Sequence, residues 1–174
     1  MTKIFAHRGA SAYAPENTME AFELAAKQGA EGIELDVHVT KDGEVVVTHD
    51  EKIDRVSNGS GFIKDMTLRE LKRLSFHNHM ESYVGAGIPT LREVLEYVST
   101  TNMDVNIELK TGIYWYPQIE EKTAFIVQET GMHDRVIYSS FNHHSIAKIK
   151  EIDSTAETAW LFSDVILNVE QYAK

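Results

Sequence analysis

The sequence has 174 residues, of which 43% are hydrophobic and 25% charged, with a formal net charge of −10 and no cysteine. This length and composition predict one domain with a substantial core, and the absence of cysteine excludes both a disulfide framework and a thiolate metal site. The acidic balance argues against nucleic acid as a partner, because backbone phosphates are bound by clustered basic residues. Apolar runs are too short for a membrane span and strand-like sequence begins at once, so we expect a cytoplasmic protein with no signal peptide and no stable membrane insertion.

The first predicted elements alternate between strand and helix. They are expected at about 3–7 (strand), 18–29 (helix), 31–38 (strand) and 44–49 (strand). Asn17 with Glu20 three residues later predicts the start of the helix, and Gly29 predicts its end. The turn residues at 41–43 separate the second strand from the third.

Residues 51–88 depart from this alternation. They begin with a turn at 57–61 and continue with a short helix that Thr67 is expected to cap. We interpret this segment as a small inserted subdomain over the strand ends.

The alternation then resumes to the end of the sequence. We expect elements at about 90–98 (helix), 104–110 (strand), 118–130 (helix), 135–140 (strand), 143–152 (helix) and 157–162 (strand), and a last helix from Asp164 to Lys174. Strands that alternate with helices indicate βαβ units, so the sequence predicts an α/β protein with six strands in a parallel sheet.

Four polar clusters stand where predicted apolar strands end. They are His7-Arg8-Gly9, Glu34-Leu35-Asp36, His49-Asp50 and Glu108-Leu109-Lys110. In a parallel α/β sheet the carboxyl ends of the strands are where ligands bind. The clusters therefore suggest metal-assisted chemistry on an anionic substrate.

The carboxylates are candidate metal ligands. Glu34 and Asp36 are two residues apart on a strand, so both side chains point to one face, and Glu108 can supply a third oxygen ligand. Oxygen ligands without cysteine favour one hard divalent cation, Mg²⁺ or Ca²⁺, over zinc. The alternative is that each carboxylate only pairs with a basic neighbour.

The histidines and basic residues are candidates for proton transfer and phosphate binding. An imidazole in general can gain or lose a proton near neutral pH, so His7 and His49 are candidates for a general acid and a general base. Arg8 suits a phosphate clamp, and Lys110 lies on the face of Glu108, although both can instead pair with the carboxylates. His38 continues the face of Glu34 and Asp36, or it only stabilises the turn that follows.

The aromatic residues after the Glu108 strand have two interpretations. Tyr114, Trp115 and Tyr116 either form a wall of the substrate site or pack in the core.

Together these motifs resemble the glycerophosphodiester phosphodiesterase family. The resemblance runs in order from about residue 4 to about 162, and it also includes Pro15-Glu16-Asn17-Thr18, Thr40-Lys41-Asp42-Gly43 and Ile88-Pro89-Thr90-Leu91. It implies a TIM (β/α)8 barrel with a small insertion, and hydrolysis of small glycerophosphodiesters to glycerol 3-phosphate and an alcohol, within lipid and glycerol metabolism.

The resemblance also implies the role of each site residue. Glu34, Asp36 and Glu108 would hold Mg²⁺ or Ca²⁺, His7 and His49 would act as acid and base, and Arg8 and Lys110 would contact the phosphate. The glycerol hydroxyl of the substrate is a first nucleophile in this chemistry, with direct attack by water as the alternative.

The sequence departs from a complete barrel in length. A (β/α)8 barrel typically needs about 250 residues, whereas six strands are predicted here. We expect a single barrel domain over residues 1–174 that is incomplete at its C-terminal end, with the chain a piece of a longer one; a homo-oligomer that closes the gap is the alternative. The last helix would then expose Val165, Ile166 and Val169.

Two other functions stay open at this stage. One is a related phosphodiesterase of the phospholipase type, which would share the histidines and the acidic ligands. The other is an inactive, truncated barrel module that binds a ligand without turnover.

Overall fold

The structure, a computed structural model, describes residues 2–172. The strands are β1 (Phe5–His7), β2 (Gly32–Val39), β3 (Val45–Val47), β4 (Asp104–Leu109), β5 (Val136–Ser140) and β6 (Glu157–Trp160). The α-helices are α1 (Met19–Lys27), α2 (Leu68–Leu71), α3 (Leu91–Ser99), α4 (Ile119–Glu129), α5 (His143–Ile152) and α6 (Val169–Tyr172). The last predicted helix is shorter than expected at its start, and its continuation over 173–174 lies outside the described residues.

The strands form one sheet in the order β1-β2-β4-β5-β6, and all neighbours on this path run parallel. The predicted α/β architecture is therefore confirmed. One detail differs, because β3 pairs with β2 in the antiparallel direction. The tight turn at 40–43 reverses the chain: Gly43 has a φ of +89° and its amide donates to the carbonyl of Thr40 at 3.0 Å. A left-handed backbone of this kind favours glycine.

The sheet does not close into a barrel over the described residues. Its edge strands are β1 and β6, and no pairing between them is found in residues 2–172. This arrangement agrees with the predicted incomplete barrel. Beyond β6 the residues Val165 and Val169 are exposed as predicted, whereas Ile166 is half-buried.

Strands β2 and β4 alternate between apolar and polar residues. On β2 the residues Ile33, Leu35 and Val37 are buried in the main core, where helix residues such as Phe22 and Leu95 pack against the sheet. The intervening residues of β2 are polar and point to the opposite face, because successive strand residues point in opposite directions. The apolar face of the sheet therefore packs in the core, and the polar face carries the side chains that could bind a ligand.

The helix boundaries follow local capping. Thr67 and Thr90 each begin a helix with a complete capping box, as predicted. Gly29, with a φ of +81°, follows α1 as expected. The predicted cap at Asn17 is wrong: Thr18 caps α1 by accepting from the amide of Ala21, while Asn17 adopts a left-handed backbone with a φ of 56°.

Residues 51–88 pack around their own apolar cluster. The segment contains α2 and two short 3-10 turns, and its cluster reaches the sheet through Val46 of β3. The cluster consists of Val46, Ile53, Val56, Ile63, Leu71, Phe76 and Ile88. The segment therefore has an apolar cluster distinct from the main core.

Among residues 2–172, none of the helices combines the length and the apolar character that crossing a bilayer requires.

Candidate active site

Strand register brings three carboxylates together on the polar face. Asp36 of β2 lies opposite Glu108 of β4, and Glu34 of β2 lies opposite His7 of β1. As a result, Glu34, Asp36 and Glu108 each offer an oxygen atom within 4.8 Å of the others. Asp36 is fully buried and Glu108 is 8% exposed.

This crowding makes the cluster electrostatically unfavourable without a cation. Burial and the charges of Asp36 and Glu108 raise the pKa of Glu34 to about 8, despite a hydrogen bond from the Arg8 amide that favours its ionised form. Carboxylates that share one site cannot all ionise without a compensating positive charge. The cluster therefore favours binding of a positive ion.

The donor set also fits a hard divalent cation. The Oδ1 atom of Asp36 is buried and receives no hydrogen bond from any described residue, so one oxygen in the centre of the cluster is left for another partner. Three carboxylate oxygens are the ligands that Mg²⁺ and Ca²⁺ prefer.

Lys110 lies beside the carboxylates at the end of β4. Its Nζ donates to Oε1 of Glu108 at 2.8 Å and lies 3.6 Å from Oδ1 of Asp36. Burial opposes the charged form, but the bond to Glu108 and the charge of Asp36 outweigh it and raise the pKa of Lys110. The side chain is therefore a cation at the edge of the cluster.

Arg8 approaches the cluster from β1 on an unusual backbone. Its φ is 60°, and its amide donates to the carbonyl and to Oε2 of Glu34 at 3.0 and 3.1 Å. The next residue, Gly9, has a φ of +79°, and a Cβ there would lie 2.7 Å from the backbone of Ala21. Strained backbone of this kind is typical of functional sites.

The Arg8 guanidinium is held by two acidic residues. Its Nη1 lies 3.1 Å from Oε1 of Glu16, and its Nε lies 3.5 Å from Oδ2 of Asp36. The pairing with carboxylates that the sequence left open for Arg8 and Lys110 is thus what the structure shows.

Asn17 is a member of the site that the sequence interpretation missed. Its Nδ2 donates to Oδ2 of Asp36 at 2.9 Å, in the buried part of the cluster. The amide therefore fixes one oxygen of Asp36, while the other receives no hydrogen bond from the described residues. The motif at 15–18 was the available signal, but it was interpreted as a helix start and as part of the family resemblance, with no role for Asn17 in the site.

The two histidines reach the cluster from different strands. The side chain of His7 is 70% exposed, and its Nε2 lies 3.8 Å from Oε2 of Glu34. His49 follows β3 and lines a cavity of about 280 Å³ together with Glu108 and Lys110. Two exposed apolar side chains, Ile113 and Phe141, lie on the same cavity.

The His49 ring is oriented by an acidic partner. Its Nδ1 lies 2.6 Å from Oδ1 of Asp50, and Nε of Arg55 donates to the other oxygen of Asp50 at 2.7 Å. Burial of Asp50 would raise its pKa, but the bonds from Arg55 and His49 outweigh it and lower the pKa to about 2. Asp50 is therefore a stable acceptor for the ring.

Arg55 links the two halves of the site. In addition to Asp50 it binds Glu16 with two hydrogen bonds, of 2.8 and 2.9 Å, and Glu16 in turn contacts Arg8. No spacing rule connects positions 16 and 55, so sequence reasoning had no signal for this pair.

His38 is fully buried on the polar face of β2, where it bonds through both ring nitrogens. Its Nδ1 lies 2.9 Å from the hydroxyl of Tyr116, and its Nε2 lies 3.0 Å from the carbonyl oxygen of His49. Burial lowers the pKa of His38, so the neutral ring is favoured. Of the three aromatic residues after β4, Tyr116 is 7% exposed and packs in the core, Tyr114 packs against the core, and Trp115 is exposed on a cavity that Tyr116 also lines.

The fold and the site together define a class. An α/β sheet of the TIM-barrel type carries acidic residues, imidazoles and fixed cations on one face and at the carboxyl ends of its strands, the region where enzymes of this fold have their active sites. Residues 7–171 match the Glycerophosphoryl diester phosphodiesterase family, and the chain belongs to this family.

Curated relatives share close to half of the sequence. The chain is 48% identical to a glycerophosphodiester phosphodiesterase of Bacillus altitudinis over 176 residues, which cover 100% of this chain and 72% of the relative. It is 50% identical to the protein of that name from Caldanaerobacter subterraneus subsp. tengcongensis over 152 residues, which cover 87% of this chain. The match covers 63% of that relative's length.

Solved structures share the fold. An Oleispira antarctica phosphodiesterase, solved in complex with the product sn-glycerol-3-phosphate, matches 99% of this chain and 70% of its own length with a TM-score of 0.93 at 29% identity. A glycerophosphodiester phosphodiesterase from Agrobacterium tumefaciens matches 91% of this chain and 66% of its own length with a TM-score of 0.82 at 37% identity.

Proposed function

We propose that the protein hydrolyses small glycerophosphodiesters to glycerol 3-phosphate and an alcohol with the help of one divalent cation. The observation that carries the proposal is the cluster of Glu34, Asp36 and Glu108, whose oxygens lie within 4.8 Å of one another beside the cationic Lys110. The names of the relatives and of the family support the substrate class.

The three carboxylates would hold Mg²⁺ or Ca²⁺. Asp36 is best placed as the central ligand, because its Oδ1 is buried without a hydrogen-bond donor and Asn17 holds its other oxygen. The bound ion would neutralise negative charge on the phosphodiester and favour attack at phosphorus.

His49 is prepared for proton transfer at Nε2. Because its Nδ1 proton is donated to Asp50, Nε2 is left free to accept or deliver a proton. His7, next to Glu34, would supply the second group, so that one imidazole activates the nucleophile while the other protonates the leaving oxygen.

Arg8 and Lys110 would contact the phosphate. Both are already held next to Asp36, so their positive charges are fixed before the substrate arrives. Fixed charges of this kind stabilise negative charge that develops in the transition state without reorganisation.

The net reaction breaks the bond between phosphorus and the oxygen of the leaving alcohol. Water supplies the new oxygen on phosphorus and one proton to the alcohol. The glycerol hydroxyl of the substrate would attack first and give a cyclic phosphate that water then opens; direct attack by water gives the same products.

The test is release of glycerol 3-phosphate from glycerophosphocholine by the purified chain. We expect release with Mg²⁺ or Ca²⁺, none in EDTA, and a loss of about 100-fold or more in His49→Gln, as removal of a general acid or base typically gives. His77→Gln is the matched control, because His77 bonds to Ser75 within the inserted segment. It should keep the wild-type rate.

The other possible outcomes separate the alternative functions. Hydrolysis of a phospholipid but not of glycerophosphocholine would indicate a phosphodiesterase of the phospholipase type. Cation binding without hydrolysis of any glycerophosphodiester would indicate a binding module and would refute the proposal.

A further inference from the structure

The pair formed by His38 and Tyr116 has no part in the proton transfers described above, yet it lies directly behind His49. His38 is fully buried and Tyr116 is 7% exposed. The two rings meet edge to face with centroids 5.6 Å apart. The pair joins three segments: β2, the residues after β3 and the loop after β4.

The hydrogen bonds of His38 have one consistent direction. A carbonyl oxygen only accepts, so Nε2 of His38 carries the proton and donates to His49. In the neutral ring Nδ1 then accepts, and the hydroxyl of Tyr116 donates to it. Every hydrogen-bonding atom of the ring is therefore used.

His38 connects β2, the strand of the proposed metal ligands, to the proposed acid–base residue His49. His38 lies two residues after Asp36 on the same face of β2, and its bond to the His49 carbonyl fixes the backbone from which the His49 ring extends. The ring extends from this backbone to Asp50, so a shift of the backbone would also weaken the bond between Nδ1 and Asp50.

We propose that His38, supported by Tyr116, is a positioning residue that fixes the backbone of His49 relative to the Asp36 strand. This proposal rests on the proposed function only where it predicts a change in the rate of hydrolysis. Misplacing a reacting group by about 1 Å costs on the order of 100-fold in rate. The bond of His38 therefore matters for turnover and not for substrate affinity.

Two substitutions separate this role from general support of the core. Gln at position 38 places an amide N–H close to the position of Nε2 and keeps the donor to His49. Asn is too short to reach that carbonyl, although its polarity and burial are similar. We expect His38→Asn to lower kcat for glycerophosphocholine by about 10- to 100-fold with KM nearly unchanged. His38→Gln should stay within a few fold of the wild type.

An NMR measurement makes the result independent of activity. The His49 Nδ1 proton, bonded to Asp50 at 2.6 Å, should give a downfield resonance that His49→Gln removes. We expect His38→Gln to keep this resonance and His38→Asn to lose it through faster exchange. If the wild type hydrolyses no glycerophosphodiester, the proposed function fails, and the resonance alone then decides on the positioning role.

Several results would overturn the inference. Equal kcat values for the Asn and Gln variants would do so, as would an unchanged Nδ1 resonance in His38→Asn or a loss confined to KM. Should His38→Asn not fold, as judged by circular dichroism, Tyr116→Phe takes its place. This variant removes only the hydroxyl that bonds to His38. It should lower kcat and broaden the His49 Nδ1 resonance. No change in either quantity would refute the proposal.

Discussion

Replacing Glu34 by Gln should stabilise the cation-free protein at alkaline pH while weakening its binding of a cation. The carboxylate of Glu34 is crowded by Asp36 and Glu108, and its pKa lies at about 8 instead of 4.5. Gln keeps an oxygen that can accept from the Arg8 amide but carries no charge. The substitution therefore removes the repulsion and leaves the local hydrogen bond.

The sign and size of the effect follow from linkage. Because the pKa of Glu34 is raised in the folded protein, the folded state binds this proton more tightly, and the associated stability is fully present only below about pH 4.5. It is lost as the pH rises to about 8. The interval between 4.5 and about 8 corresponds to about 5 kcal/mol at 1.36 kcal/mol per pH unit, which is an upper value.

The assay is urea unfolding in EDTA at several pH values from 5 to 8.5. We expect the unfolding free energy of Glu34→Gln, relative to the wild type, to increase by at least about 2 kcal/mol across this range. Glu129→Gln, on the exposed end of α4, is the control and should show a difference that does not change with pH. Saturating Ca²⁺ should then stabilise the wild type, by about 2.7 kcal/mol at 100 times its Kd, and the variant less.

A difference between Glu34→Gln and the wild type that stays constant from pH 5 to 8.5 would refute this reasoning. It would mean that the cluster is not crowded enough to hold a proton. The cluster would then have no electrostatic preference for a cation.

Three further predictions follow from single contacts. Asp50→Asn should lower kcat by about 10- to 100-fold with little change in KM. It should also change the pH dependence of urea unfolding, because the pKa of Asp50 is depressed in the folded protein. The wild type has a stabilisation above about pH 3.8 that it loses as the pH falls towards 2, and the variant should lack it. Leu95→Ala removes a fully buried side chain between α3 and the sheet and should cost about 2–5 kcal/mol in chemical denaturation. Thr90→Ala removes the cap that accepts from the Glu93 amide and should cost about 1 kcal/mol in the same measurement, whereas an unchanged midpoint would show that the cap is dispensable.

Much of the fold could be predicted because its signals are local. The helix starts at Thr67 and Thr90 depend on residues three apart, and each matches a capping box in the structure. The same holds for the common face of Glu34 and Asp36, which follows from strand geometry alone. The direction of β3 was missed because a turn signal does not say which strand the returning segment will pair with.

The site could be predicted only where its residues stand on strands or directly after them. Glu108 joins Glu34 and Asp36 because β2 and β4 are neighbours in register, which the alternation of elements anticipates. Asn17 was misjudged because its left-handed backbone turns its side chain towards Asp36 instead of the helix start. The bond between Arg55 and Glu16 depends on how the inserted segment lies against the turn after β1, and no local pattern encodes that placement.

The central claim is that the carboxylate cluster, with a divalent cation, serves hydrolysis of a glycerophosphodiester. A ³¹P NMR time course of glycerophosphocholine with the purified chain tests it most directly, with Mg²⁺ or Ca²⁺ in one sample and EDTA in the other. The account predicts that the phosphodiester signal is replaced by the phosphomonoester signal of glycerol 3-phosphate only where the cation is present. Conversion that is equally fast in EDTA, or conversion to choline phosphate and glycerol instead, would contradict it.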